Sequence, residues 1–274
     1  MCRPRAGALR ASRHTGGGPP GRSLSGTLYT GTSGFAYRDW APRFYPAGVR
    51  AGGLLHAYAE RLPAVELNAT FHRRPSAEAI AGWIKATPAA FRFAVKAQRG
   101  AAVRALLQAP EESVEWLTAP LGGFGDRLGA VLWRVPAPIR RGGPSFGGDA
   151  AASDRQLAAL LAAWPASIRL VVEFQEPSWH VDETFDLLRA AGATLCTTEL
   201  PEDTEAPTIR RTGPLLYLRL RRLDYDEAGL ERWAERLVPF LEAGDHAYVF
   251  FRHDAVGRAA ELALDFQARV AAKR

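Results

Sequence analysis

Cysteine is nearly absent from this 274-residue chain. Cys2 and Cys196 form no C-x-x-C pair, which excludes a disulfide framework and a cysteine-rich zinc site. No stretch of about 18 apolar residues occurs, so no conventional membrane-spanning helix is expected. The N-terminus lacks the apolar core of a secretory signal, and a cytoplasmic, reducing location is the expectation. Lysine is scarce too: Lys85, Lys96 and Lys273 stand beside 32 arginines. With the heavy alanine use, that skew reads as genome composition rather than as arginine selected for phosphate.

Acidic residues are missing altogether from positions 1–26, which hold Arg3, Arg5, Arg10, Arg13 and Arg22. The net charge is +6; without those five arginines, 30 basic residues face 29 acidic ones. The body is therefore close to neutral and offers no overall electrostatic case for nucleic acid. The run Gly16-Gly17-Gly18-Pro19-Pro20-Gly21 has no periodic apolar pattern, and residues 1–26 are expected to be a disordered tail. A transit peptide, a basic arm for nucleic acid and a dispensable extension are the alternatives for it.

Sequence signals for the common cofactor folds are also lacking. No G-x-G-x-x-G follows a strand-like segment, and there is no Walker loop, no H-x-H and no H-E-x-x-H. No metal and no cofactor are expected, although His72 or His253 beside a glutamate leaves a metal site open.

What is present is an ordinary globular composition, 47% hydrophobic and 23% charged, in a length suited to one domain over 27–274. Eight strand-like segments recur: Leu28–Ser33, Ala64–Phe71, Phe91–Ala97, Ala130–Val135, Arg169–Gln175, Thr194–Thr198, Leu215–Arg221 and Ala247–Arg252. Helical stripes lie between most of them. Ile80, Trp83 and Ile84 follow a capping Ser76, Leu157, Leu160, Leu161 and Trp164 share a face, and Leu230, Trp233, Ala234 and Leu237 share another. Asp182 is placed to cap a helix that Gly192 ends. Only Leu200–Gly213 lacks a helical pattern. The alternation predicts a single (β/α)8 TIM-type barrel with one βα connection lacking a regular helix; a doubly wound open sheet is the alternative.

Alternation along a strand sorts side chains by face. In the second strand Glu66, Asn68 and Thr70 oppose Val65, Leu67 and Phe71, and the polar set belongs inside the barrel. The same logic aims Lys96, Arg134, Glu173, Gln175, Arg219, Arg221 and Arg252 at the C-terminal mouth, where active sites of this fold lie. The mouth then holds two carboxylates and up to five cations. Glu66 and Glu173 are candidates for general acid or base, or simply internal partners for Lys96 and an arginine. Asn68 and Thr70 touch a ligand or hold a loop. The turn Gly31-Thr32-Ser33-Gly34 presents N–H groups to an anion or is only a turn. Trp40, Trp133 and Trp179 read as packing, and Pro136–Gly148 as a lid or a solvated loop.

The local strings Gly31-Thr32-Ser33-Gly34-Phe35-Ala36-Tyr37-Arg38-Asp39-Trp40, Phe44-Tyr45-Pro46-Ala47-Gly48 and Val65-Glu66-Leu67-Asn68-Ala69-Thr70-Phe71-His72 resemble the YecE-like family, a domain of unknown function. Phe91–Lys96, Glu173-Phe174, Pro177-Ser178-Trp179 and Tyr217-Leu218-Arg219 continue the likeness. The resemblance implies a TIM barrel and no established reaction. Its pattern departs here in four places: Arg134 stands for Gln, Gln175 for Arg, Arg221-Arg222 for His-Gly and Arg252-His253 for Asn-Asn. A divergent member with a more cationic pocket is expected.

Three readings follow. One is a barrel holding a small anionic ligand, phosphate- or carboxylate-bearing, on Lys96, Arg134, Arg219 and Arg252 with Ser33, Asn68, Thr70, His72 and Gln175 around it. Glu66 or Glu173 would then perform acid/base, hydrolytic chemistry with Lys96 beside them. The second is a non-catalytic barrel that binds a metabolite or a protein. The third, by fold analogy with barrel endonucleases and helped by the basic tail, is a nucleic-acid phosphodiesterase or binder.

Overall fold

The computed structural model describes residues 25–274; the expected tail and Cys2 fall outside them, apart from Ser25 and Gly26. Eight strands are present: β1 Leu28–Thr32, β2 Ala64–Leu67, β3 Arg92–Lys96, β4 Leu128–Val135, β5 Leu170–Phe174, β6 Thr194–Glu199, β7 Leu215–Leu220 and β8 His246–Phe251. All are parallel, in the order β1-β8-β7-β6-β5-β4-β3-β2, each ladder joining neighbours in sequence except the closing β1–β8 pair. Helices α1 Leu54–Ala59, α2 Ala69–His72, α3 Ala77–Lys85, α4 Arg99–Leu107, α5 Pro110–Thr118, α6 Ala150–Ala163, α7 Asp182–Ala190, α8 Glu227–Glu242 and α9 Arg258–Ala272 occupy the connections. The β6–β7 connection carries no helix, as its unpatterned sequence implies.

Alternation along the strands divides the core in two. Val65, Leu67, Phe93, Val95, Trp133, Val172, Leu216, Leu218 and Phe251 pack outward beneath the helices. Ala64, Ala94, Ala130, Leu132, Val171, Cys196, Tyr217, Tyr248 and Phe250 fill the barrel. The small side chains come from β2, β3 and β4 and the large rings from β7 and β8, so the filling is lopsided. Trp40, Trp133 and Trp179 are at most 1% exposed and bind backbone carbonyls through their indole N–H, which makes them packing residues.

The seam between β1 and β2 has almost no ladder: one bridge, Ser33 with Glu66, and a bond from Gly34 N–H to Glu66 O at 2.8 Å. The hydroxyl of Tyr58, on α1, closes the rest. It accepts from Thr32 N–H at 2.8 Å and donates to Ala64 O at 3.0 Å. Two buried backbone groups that a neighbouring strand would ordinarily satisfy are thus paired by one side chain. The close approach also dictates glycine at position 31, where a Cβ would stand 2.0 Å from Ala64 O.

Two local expectations are corrected. The second strand stops at Leu67 rather than Phe71; the chain turns into α2, and Thr70 donates to Leu67 O at 2.9 Å instead of facing the mouth. Asp182 is the first residue of α7, not its cap, which is Val181. Ser76 does cap α3, accepting from Ala79 N–H.

Tyr58→Phe removes the hydroxyl and leaves the seam carbonyl and N–H unpaired. We expect a loss of about 1–3 kcal/mol, read as a lower urea midpoint with an unchanged denaturant slope.

Candidate functional site

The mouth of the barrel is floored by a buried ionic cluster. Glu66 lies on β2 with no exposed surface, Lys96 on β3 is 6% exposed, Glu173 on β5 is 2% exposed and Arg219 on β7 is 3% exposed. Arg219 stands between the two carboxylates. Its Nε is 3.0 Å from Glu66 Oε1, its Nη2 donates to Glu66 Oε2 at 3.2 Å, and its Nη1 donates to Glu173 Oε1 at 2.6 Å. Lys96 Nζ lies 2.7 Å from Glu66 Oε2. Ser33 Oγ donates to the same oxygen, and Tyr217 Oη donates to Oε1 at 2.9 Å. Glu173 accepts also from Thr198 Oγ1 at 2.8 Å and from Arg134 Nε. Arg134 is half-buried, its guanidinium 5.4 Å from the centre of the Phe71 ring.

A second layer holds Lys96 in place. Its ammonium donates to Asn68 Oδ1, while Asn68 Nδ2 donates to Ser33 O at 2.8 Å and to Tyr37 Oη at 3.2 Å. Gly34, at φ +89°, makes this turn possible: a Cβ there would stand 2.6 Å from Tyr37 Oη and 2.9 Å from Asn68 Nδ2. The N–H groups of Ser33 and Gly34 bond to Phe251 O and Glu66 O, so the turn offers neither to an anion.

Burial works to raise the pKa of both glutamates, but the cations outweigh it. Arg219 and Lys96 hold Glu66 well below the ordinary carboxylate range, and Arg219 and Arg134 bring Glu173 down to about 2. Burial lowers the pKa of Lys96 against the pull of Glu66, and burial with Glu173 pushes the Cys196 thiol up. His253 stacks on Tyr37 at 4.9 Å and 6° between planes. Burial, Lys96 and Arg252 lower its pKa from 6.5, which leaves a neutral imidazole at pH 7.

The structure thus brings together Glu66, Lys96, Arg134, Glu173, Arg219, Ser33 and Asn68. Thr70 is not among them, and His72 is exposed at the end of α2 with no polar contact to the cluster. Gln175 and Arg252 follow β5 and β8 as exposed residues at the rim. Sequence reasoning did not single out Tyr217, Thr198 or Tyr37, and it offered His253 only as a possible metal ligand. Tyr217 shares a strand face with Arg219 and was readable from that; the Tyr37–His253 stack joins positions 216 residues apart and left no local signal.

Other possibilities resolve into structure. The Pro136–Gly148 segment is held down rather than lid-like: Ile139 and Phe146 are buried, and Arg141 forks onto Asp154 at 2.8 and 2.7 Å. Within it, Gly143-Pro144-Ser145-Phe146-Gly147 matches a G-x-S-x-G string, but Ser145 sits on a 3-10 turn nine residues beyond β4, not on a strand-to-helix elbow. Asp224 and Asp226 engage Arg258 and cap α8. Among the described residues no group of three or more His, Cys, Asp or Glu is placed to hold a metal ion, and no helix is long and apolar enough to cross a membrane.

The fold and floor define a TIM-barrel protein with a charge-locked mouth. The chain matches the family model "Protein of unknown function DUF72" over residues 29–274, and it belongs to that family. It is 23% identical over 269 residues to the UPF0759 protein YunF of Bacillus subtilis (strain 168), covering 85% of this chain and 91% of that one. A DUF72 family protein from Thermotoga maritima MSB8 superposes with a TM-score of 0.74 at 25% identity, covering 89% of this chain and 99% of that one. Another from Enterococcus faecalis V583 gives 0.74 at 19% identity, with 89% and 96% covered.

Depressed carboxylate pKa values tie the cluster to acid stability. The unfolded chain takes up protons first as pH falls, so this contribution is intact above about pH 5 and declines towards about pH 2. Glu173→Gln leaves Arg219 and Arg134 without their carboxylate and is expected to cost about 3–5 kcal/mol at pH 7. In urea titrations from pH 7 to pH 2, the gap between variant and wild type should narrow as the wild-type carboxylate protonates.

Proposed function

We propose that the barrel binds a small anionic ligand, phosphate- or carboxylate-bearing, at its C-terminal mouth. The observation that carries this reading is uncompensated positive charge above a locked floor. Among the five floor groups, Lys96, Arg134 and Arg219 outnumber Glu66 and Glu173 by one. Arg221, half-buried directly beyond β7, and Arg252, exposed at the rim, have no side-chain ion pair or hydrogen bond among the described residues. Burial and the neighbouring Arg219 lower the pKa of Arg221, the sign of a cation in a cationic site. An anion entering there relieves repulsion and needs no rearrangement of the floor.

The same geometry supports a division of roles. Arg221 and Arg252 meet the ligand; Glu66, Glu173, Arg219 and Lys96 position them, with Ser33 and Asn68 in support. Hydrolytic chemistry on Glu66 or Glu173 has little support, because every oxygen of both carboxylates already accepts a hydrogen bond and both are held ionised. If a proton moves, His253 is the better acceptor: neutral at pH 7 and stacked at the mouth. The engaged carboxylates also favour the second reading, a binding barrel without turnover. The nucleic-acid reading draws only on fold analogy, helped by the basic tail.

Calorimetric titration of inorganic phosphate and of acetate tests the proposal. Arg221→Ala should weaken binding about tenfold or more, with the melting temperature of the empty protein held or raised, because that arginine pairs with nothing in the fold and is repelled by Arg219. Failure of both anions to bind the wild type overturns the reading. Binding confined to oligonucleotides and falling steeply with salt would move it to nucleic acid.

A further inference from the structure

Beside the mouth, the barrel wall is split. β4 and β5 pair over five positions, β6 and β7 over four, and β7 and β8 over six. Between β5 and β6 only Val171 with Thr194 and Val172 with Leu195 are paired. Beyond them the strands diverge, and the Phe174 carbonyl has His180 Nε2 at 3.3 Å in place of a strand partner. A cavity of about 540 Å³ occupies the gap. Residues from both faces of the strands line it: Glu173, Cys196 and Thr198 from the barrel interior, Phe174 and Leu195 from the helix-facing side. The space therefore passes from the mouth through the wall to Phe185 on α7.

The two ends of this passage differ in chemistry. Arg221 stands at the inner end beside Glu173 and Thr198, and it is the half-buried cation without a partner. The middle is walled by Phe174, Phe185, Leu195 and Leu200, with the Arg210 guanidinium 4.6 Å over the Phe185 ring. Glu202, Asp203 and Arg210 also line the cavity, so apart from Arg221 its charged groups carry no net positive charge. The volume falls in the range of cavities that enclose organic ligands, and a lone inorganic anion on Arg221 would leave most of it empty.

We infer that the gap between β5 and β6 is a subsite for a flat apolar group, so that the ligand is an anion carrying an aromatic ring, its charge on Arg221 and its ring in the wall. The inference rests on the anion-binding reading and adds the ligand's body and its direction. Apolar burial supplies the affinity, and the cation at the mouth end, Arg221, fixes which way the ligand enters.

Calorimetric titration of the full chain with inorganic phosphate and with phenyl phosphate separates the two claims. Phenyl phosphate should bind about tenfold or more tighter than phosphate, the gain expected from burying one ring. Thr208→Trp fills the gap from an exposed position on the β6–β7 connection, and Ala137→Trp does so from the loop after β4. Each should abolish the advantage of the ring while leaving the phosphate Kd and the melting temperature as they were. Equal affinities for the two probes in the wild type, or an advantage that survives both substitutions, overturns the ring subsite and leaves anion binding standing. No binding of either probe removes both.

Discussion

Arg219 bridging two buried carboxylates is the contact on which the mouth depends. Taking Glu66 and Glu173 out of water costs several kcal/mol each unless opposite charge and hydrogen bonds meet them. One guanidinium supplies both, because it donates to Glu66 through Nη2 and to Glu173 through Nη1, with Nε in ion-pair range of Glu66. A lysine there offers a point charge and cannot span the two. Lys96 and Arg134 then complete the outer oxygens, and Tyr217, Thr198 and Ser33 complete the rest. With every acceptor filled, the floor is rigid and tied to β1, β2, β3, β4, β5, β6 and β7 at once.

That rigidity explains the weakness in the barrel's closure. The β1–β2 seam has one bridge, and it falls at Ser33 and Glu66, both members of the cluster. The ionic floor and the Tyr58 hydroxyl therefore do together what a ladder does elsewhere: one holds the top of the seam, the other its middle. The same strands that lack pairing carry the smallest inward residues, Gly31 and Ala64, which lets the backbones approach and leaves room for the Tyr217 and Tyr248 rings from across the barrel.

The fold was legible because its signal is repetitive. Each strand alternates, each helix presents a stripe, and a boundary error of one or two residues changes nothing in the topology. Most of the cluster was legible for the same reason: polar residues at inward positions near strand ends had to meet. The errors lie where the backbone leaves the strand. Thr70 keeps the alternation of Glu66 and Asn68 on paper, but the chain coils after Asn68, and period two no longer describes where a side chain goes. The hydroxyl bond to Leu67 O is a local competitor that strand logic omits. The β5–β6 split is invisible by a different route, since it is a property of pairing and both strands read normally in isolation.

Charge arithmetic was the least local of the sequence signals and the most easily misread. The whole-chain surplus comes mostly from positions 1–26, yet the near-neutral body hides a polarised interior. Many body arginines are answered by a carboxylate, as Arg43 is by Glu261 and Arg141 by Asp154. Glu199 shows what a closed account looks like: it points out of β6 into Arg222, Tyr225 and Trp233, fastening α8 to the barrel with no cation left over. At the mouth the account stays open, because Arg221 is drawn in beside Arg219 without a carboxylate of its own. A half-buried guanidinium facing another cation is unfavourable in the empty barrel, and the fold tolerates it only because the floor below is fixed by its own pairs. The proposed anion site rests on that separation between a satisfied floor and an unsatisfied rim: the charges that fold the barrel are not the charges it would offer to a ligand.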